Sequence, residues 1–213
     1  MNFETLVDCM DSQTSFDYNT VSLLFPKESK ESLRTALYRF AKSGRIVSLR
    51  RGLYSLGERY RKIKPNGISV ANKIYTPSYL SERWALGWYG IIPEKVVSYT
   101  SVSPRPTRRF VNDFGTYQYR KVQQQLFTGY LQQEIMGEAV FLAEPEKALL
   151  DFWYLEAGEW STLRMESMRF NPEHIFPGRL KTLGSLYKEE RMQRTIGTWM
   201  RYAQEQTDGD INL

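Results

Sequence analysis

Four charged residues in one short stretch are the first place to look for catalysis. Glu144, Glu146, Lys147 and Asp151 follow each other closely, and metal-dependent nucleases cluster carboxylates with a lysine. The order argues against that chemistry. Glu-Pro-Glu-Lys opens a helix and does not form an acidic-x-Lys triplet on a strand. Acids in a first turn complement the helix dipole, and proline suits the first helical position. His174, in Asn-Pro-Glu-His, is the only histidine, and Cys9 is the only cysteine. Neither has a second ligand nearby for zinc or the companions of a nucleophilic triad. Neither GxxxxGK[ST] nor GxGxxG occurs. The sequence predicts no catalytic residue, no metal and no cofactor, which leaves a metal-dependent nuclease as the last of its readings.

Charge points instead to a polyanion. The net charge of +5 is unevenly placed. Residues 1–64 hold 12 Lys and Arg against 7 Asp and Glu, and from Lys27 to Lys64 there are 12 basic residues against 3 acidic. The rest of the chain is balanced. A one-signed block of this kind is the footprint of a nucleic-acid surface, with a solvated face as the plain alternative.

The elements that would position this charge lie between Leu23 and Leu56. Leu33, Ala36, Leu37, Phe40 and Ala41 recur at i, i+3, i+4, i+7 and i+8, the stripe of a helix facing a core. Ser29 is placed to cap that helix, and Gly44 to end it in the left-handed conformation. Ile46–Leu49 and Leu53–Leu56 are β-prone runs around the turn Arg50-Arg51-Gly52. Two helices precede them. Phe3, Leu6, Val7 and Met10 mark the first. The second is capped by Asp17 or Asn19 and carries Val21, Leu24 and Phe25. Ser12–Phe16 reads as a polar loop. Three helices and a basic hairpin make a winged helix-turn-helix. On double-stranded DNA, Lys30, Arg34, Thr35 and Tyr38 would reach the major groove, Arg39 and Lys42 would meet phosphates or face solvent, and Lys27, in the turn before the helix, is a further DNA-binding candidate. Ser29 and Ser32 would donate to a phosphate at the helix N-terminus. Arg45, Arg50 and Arg51 would carry the wing onto the backbone or minor groove. A winged helix that binds protein is the alternative, since a fold does not fix a function.

Gly57 to Gly67, GERYRKIKPNG, has linker composition. Beyond it the sequence predicts a helix at Ser69–Ile74 and a longer one at Tyr79–Tyr89 with Trp84 and Trp88 inward. Strands follow at Lys95–Ser101, Arg108–Val111, Thr116–Val122, Leu126–Ile135 and Ala139–Leu142. A helix at Pro145–Leu155 precedes two further helices, and Asp208–Leu213 reads as a frayed tail. A second basic cluster, Arg105, Arg108, Arg109, Arg120 and Lys121, surrounds the predicted hairpin. It reads either as a solvated strand face or as a contact for a toxin or nucleic acid, with Tyr117 and Tyr119 as stacking platforms or core. The expected fold is α+β: a winged helix-turn-helix domain (1–57), a basic linker (58–67) and an α+β domain (68–213) with a mostly antiparallel sheet and C-terminal helices. The N-terminus lacks a signal pattern, and no apolar run is long enough to span a bilayer, so no membrane association and a cytoplasmic location are expected.

Several blocks together resemble the AbiEi-type antitoxins of abortive-infection toxin–antitoxin pairs. They are KSGRIVSLRRGLYSL (42–56), ANKIYTPSYLSERWALGWYGIIPE (71–94), TRRF followed by GTYQYRKV (107–122), LFTGY (126–130) and AEPEKALLDFWYL (143–155). Glu82-Arg83-Trp84 departs from the apolar, small-residue run expected there. The resemblance implies a repressor that binds repeats upstream of its own operon, and an antidote to a cognate nucleotidyltransferase-like toxin, acting directly or indirectly. It places the catalysis in the toxin. An inverted-repeat operator would bring two copies of the chain onto DNA, a monomer in solution being one option, and the sequence itself shows no dimer seam. A stand-alone regulator whose second domain senses a ligand or protein is the other reading.

Overall fold

The computed structural model describes residues 1–210, and it is a mixed α+β fold. The first unit opens with α1 (Phe3–Cys9), followed by the two-residue strand β1 (Phe16–Asp17) and α2 (Tyr18–Leu24). Asp17 accepts from Thr20 N at 2.8 Å and caps α2. α3 (Lys30–Lys42) starts at the Ser29 cap and stops before Gly44, whose φ of +69° is the left-handed conformation expected there. β2 (Ile46–Arg50) and β3 (Leu53–Leu56) form the hairpin. The antiparallel sheet runs β1-β3-β2, with Phe16 opposite Tyr54. Phe16 is therefore a buried strand residue and not part of a polar loop. Leu6, Val21, Leu33, Leu37, Ile46 and Leu56 form the centre of this unit's core.

The second unit starts with α4 (Gly67–Ile74) and β4 (Tyr79–Leu80), then α5 (Glu82–Trp88). The long helix expected from Tyr79 is thus split. Tyr79 and Leu80 are fully buried and lie mid-sheet, pairing with β5 (Tyr99–Ser103) on one side and β9 (Glu138–Ala143) on the other. Trp88, expected inside, is 47% exposed. β6 (Arg108–Asn112), β7 (Gly115–Lys121) and β8 (Tyr130–Ile135) complete a six-stranded sheet of order β6-β7-β5-β4-β9-β8. Three of its pairings are antiparallel and two, β4·β9 and β5·β7, are parallel. Gln124–Leu126 forms a 3-10 turn where the strand to Ile135 was expected to begin.

α6 (Pro145–Leu155) is the hub of this unit, buried without a break from Glu146 to Trp153. It packs on α5, β9, α8 (Pro177–Gly184) and α9 (Glu190–Asp210), while α7 (Thr162–Ser167) packs on α9. Residues 211–213 of the expected tail lie outside the described residues; the part from Asp208 to Asp210 belongs to α9. Among the described residues no helix is long and apolar enough to cross a membrane.

The hairpin binds the two units together. Leu49 and Leu53 are buried in the core of the second unit, not the first. Burial of two leucines contributes about 3–6 kcal/mol. Asn112 Nδ2 donates to Leu49 O at 3.0 Å. Lys73 on α4 reaches Thr14 Oγ1 at 3.1 Å. The segment between the units is packed as well: Tyr60 meets Phe3 edge-on, Arg61 lies over Phe114 at 5.4 Å, and Lys62 pairs with Asp11.

Candidate nucleic-acid interface

α3 is two-sided. Leu33, Ala36 and Leu37 face the core, whereas Lys30, Arg34, Thr35, Tyr38, Arg39 and Lys42 are exposed. Lys30, Arg34 and Tyr38 are spaced four apart and share one ridge. Arg34 is steered by α2, its guanidinium 5.6 Å from the Tyr18 ring centroid, a contact that holds an otherwise floppy side chain over the surface. Tyr38 is 68% exposed and Leu23, on α2, 81%. Lys27 is exposed in the turn between the helices. Glu31 is an exposed acid on the same helix.

The helix N-terminus differs from expectation. Ser29 accepts from Ser32 N at 3.1 Å, but the Ser32 hydroxyl donates to Glu28 Oε2 at 2.6 Å. Glu28 in turn pairs with the Met1 ammonium. Hydrogen bonds from that amine and from Ser32 hold the Glu28 carboxyl below its ordinary range. The Ser32 hydroxyl is thus spent on a carboxylate beside the helix start, whereas the Ser29 hydroxyl accepts from Ser32 N and keeps its own hydrogen to donate.

The three hairpin arginines do not converge. Arg45 sits at the base, its guanidinium 5.2 Å from the Phe3 ring centroid and 5.8 Å from that of Phe40. Arg50 and Arg51 are at the tip, about 16 Å away along the strand. Arg51 is exposed. Arg50 is half-buried, donates from Nη1 to Arg51 O at 2.8 Å, and leaves Nε buried without a partner. Its charge is felt by Asp17 on one side and Tyr119 on the other. Arg50 therefore belongs to the junction between the units, because the hairpin leans on the second core instead of standing free.

The second basic cluster also divides. Arg108, Arg109 and Lys121 are exposed and form no ion pair among the described residues. Arg105 is exposed but held, donating to Thr76 O at 2.7 Å and stacked 4.4 Å over Tyr75. Arg120, half-buried, is engaged within the fold. Its guanidinium bonds Glu82 Oε2 at 2.8 Å, Glu156 Oε1 at 3.0 Å and Leu155 O. Tyr117 and Tyr119 are fully buried, so they are core and not stacking platforms. Burial pushes the Tyr117 hydroxyl up, and that of Tyr119 further.

Lys147 and Asp151, set aside in the sequence as parts of a helix start, join Tyr79, Ser81 and Tyr187 in a buried polar cluster that the sequence did not disclose. Asp151 Oδ2 accepts from Tyr79 at 3.0 Å and Ser81 at 2.7 Å. Asp151 Oδ1 takes Lys147 and the Tyr187 hydroxyl, which is 2.8 Å from Lys147 Nζ. Lys147 and Asp151 are 1% and 0% exposed. Burial lowers the Lys147 ammonium, against the opposing pull of Asp151. Burial raises the Tyr79 and Tyr187 hydroxyls well above their ordinary range. The i, i+4 spacing of Lys147 and Asp151 was the available signal. Glu144 pairs with Arg179, and Glu146 Oε1 accepts from Phe176 N at 2.8 Å, so the acids of this helix start are spent on α8 and the chain entering it. His174 is exposed. No protein-family model matches the chain, and the comparison with curated proteins gives no match.

Proposed function

We propose that residues 1–57 are a winged helix-turn-helix that binds double-stranded DNA, and that the chain represses its own operon as the antitoxin of a toxin–antitoxin pair. The observation that carries the DNA half is the exposed ridge Lys30-Arg34-Tyr38 on a helix anchored over two others and a three-stranded antiparallel sheet. In this reading α3 enters the major groove, Arg39, Lys42 and Lys27 neutralise phosphates, and Arg51 reaches the backbone from the hairpin tip. The antitoxin half rests on the AbiEi-type resemblance of residues 42–155. Residues 68–213 then neutralise a nucleotidyltransferase-like toxin in the cytoplasm, and this chain performs no catalysis.

The test has two arms. A gel shift on the chain's own upstream region should show binding that Lys30→Glu with Arg34→Glu abolishes. Co-expression should rescue growth from the toxin encoded next to it. Failure of the first arm removes the DNA reading, and failure of the second removes the antitoxin reading.

One observation favours a regulator with a sensing domain. An open groove of about 1050 Å³ lies between α9 and the segment before α8, lined by Phe170, Ile175, Met200 and Arg169 among others. Under this reading a small ligand in the groove would change DNA affinity, and no toxin rescue would occur.

A further inference from the structure

The two edges of the six-stranded sheet are treated differently. β6 carries Arg108 and Arg109, and Asn112 at its end is bonded to the hairpin of the first unit. Charge and cover of this kind keep an edge from pairing with another chain. β8, at the other edge, reads Tyr-Leu-Gln-Gln-Glu-Ile, without lysine, arginine or proline.

The backbone phase of β8 follows from its turn. Met136 and Gly137 both have positive φ, +52° and +75°, the two-residue turn that joins Ile135 to Glu138. Such a turn closes on a hydrogen-bonded pair, so the odd-numbered residues of β8 face β9. The bond from Glu144 N to Gly129 O, at 2.9 Å, fixes the same phase at the far end. Tyr130, Gln132 and Glu134 therefore turn their N–H and C=O groups outward. Among the described residues no backbone or side-chain group reaches them. Gln132 and Glu134 are exposed, as are Leu131 at 56% and Met136 at 80%.

We propose that this edge pairs antiparallel with β8 of a second copy of the chain, centred on Gln132. The choice of occupant comes from self-complementarity, which a two-fold interface requires. Centring on Gln132 sets Gln132 against Gln132 of the second copy and Tyr130 against its Glu134, so all three outward residues pair and no like charges meet. Sliding one pair toward the turn would set Glu134 against Glu134. Leu131 then lies beside the aliphatic stem of Gln133 from the other copy. The contact is small, below roughly 1,200 Å², so association depends on concentration. It is independent of the DNA reading.

The test is sedimentation of the full chain, without DNA, over a series reaching millimolar concentration. The wild-type mass is expected to rise from 25.0 kDa toward twice that value. Gln132→Lys and Gln132→Glu each put like charges at the two-fold axis and should weaken association roughly fivefold. An equimolar mixture of the two variants should restore it, which a misfolded variant would not do. A wild-type mass fixed at 25.0 kDa throughout, variants that associate as well as wild type, or a mixture that fails to recover would each overturn the proposal.

Discussion

Arg120 Nη1 lies 2.8 Å from Oε2 of Glu82, a carboxyl that is 2% exposed and whose Oε1 has no partner. The same guanidinium reaches Glu156 and the carbonyl of Leu155. One side chain from the sheet therefore ties the start of α5 to the end of α6. Burial raises the Glu82 carboxyl from 4.5 to about 8, with Arg120 pulling it down and Asp151 and Glu156 pushing it up. Between those values the folded chain holds a proton that the unfolded chain releases, so stability falls as pH rises through that window. Replacing Glu82 by Gln should flatten this dependence. Urea unfolding of both proteins at several pH values between 5 and 8 checks it, and equal slopes would count against a raised Glu82.

The buried pair Lys147 and Asp151 makes the second expectation. Asp151→Ala would strand an ammonium among Tyr79, Tyr187 and apolar neighbours, and breaking a buried pair from one side costs about 3–5 kcal/mol. Removing both charges with Lys147→Met and Asp151→Leu should recover most of that loss. A double variant as unstable as Asp151→Ala in urea unfolding would show that the hydroxyls on Asp151, not the ion pair, dominate.

The unit that the sequence described best was the one with local rules. Ser29, Leu33, Ala36, Leu37 and Gly44 fix α3 within a single stretch, and the Arg50-Arg51-Gly52 turn fixes its hairpin. What escaped depended on distant partners. β1 exists because Phe16 pairs with Tyr54, and Tyr79-Leu80 is a strand because β5 and β9 lie on either side. Two buried residues carry no alternation for a reader to find. The site followed the same division. The α3 face was legible from its periodicity. The pairing of Arg120 with Glu82 and Glu156 and the leaning of Arg50 on the second unit were not, because the first depends on partners far along the chain and the second on how the units meet.

Two glycines should respond in opposite directions. A Cβ at Gly57 would collide with Gly44 O and lie 2.9 Å from Arg45 O, both backbone atoms that cannot swing away. Gly57→Ala is expected to cost about 1–3 kcal/mol. Gly197, in the body of α9, has open space around it, and Gly197→Ala should stabilise by about 0.5–1 kcal/mol. Thermal unfolding of the pair decides this, and a neutral Gly57→Ala would mean that the segment after the hairpin yields.

Under the proposed DNA-binding reading, Arg51 in the hairpin turn and Arg50 at the end of β2 should differ in what they do to binding. Arg51 is exposed, so Arg51→Gln removes one cation from the surface and should lower the slope of log affinity against log salt by about one, with little change in stability. Arg34→Ala should instead cost about 1–3 kcal/mol of binding at the matched site and weaken discrimination between sequences. Arg50 is half-buried between Asp17 and Tyr119. Its replacement by Gln should shift the melting temperature more than Arg51→Gln does, and any effect on DNA would follow from the tilt of the hairpin. Salt titrations of binding, set beside melting curves for the three variants, separate these roles. Equal salt slopes for Arg51→Gln and wild type would take the hairpin tip out of the interface and leave α3 as the contacting element.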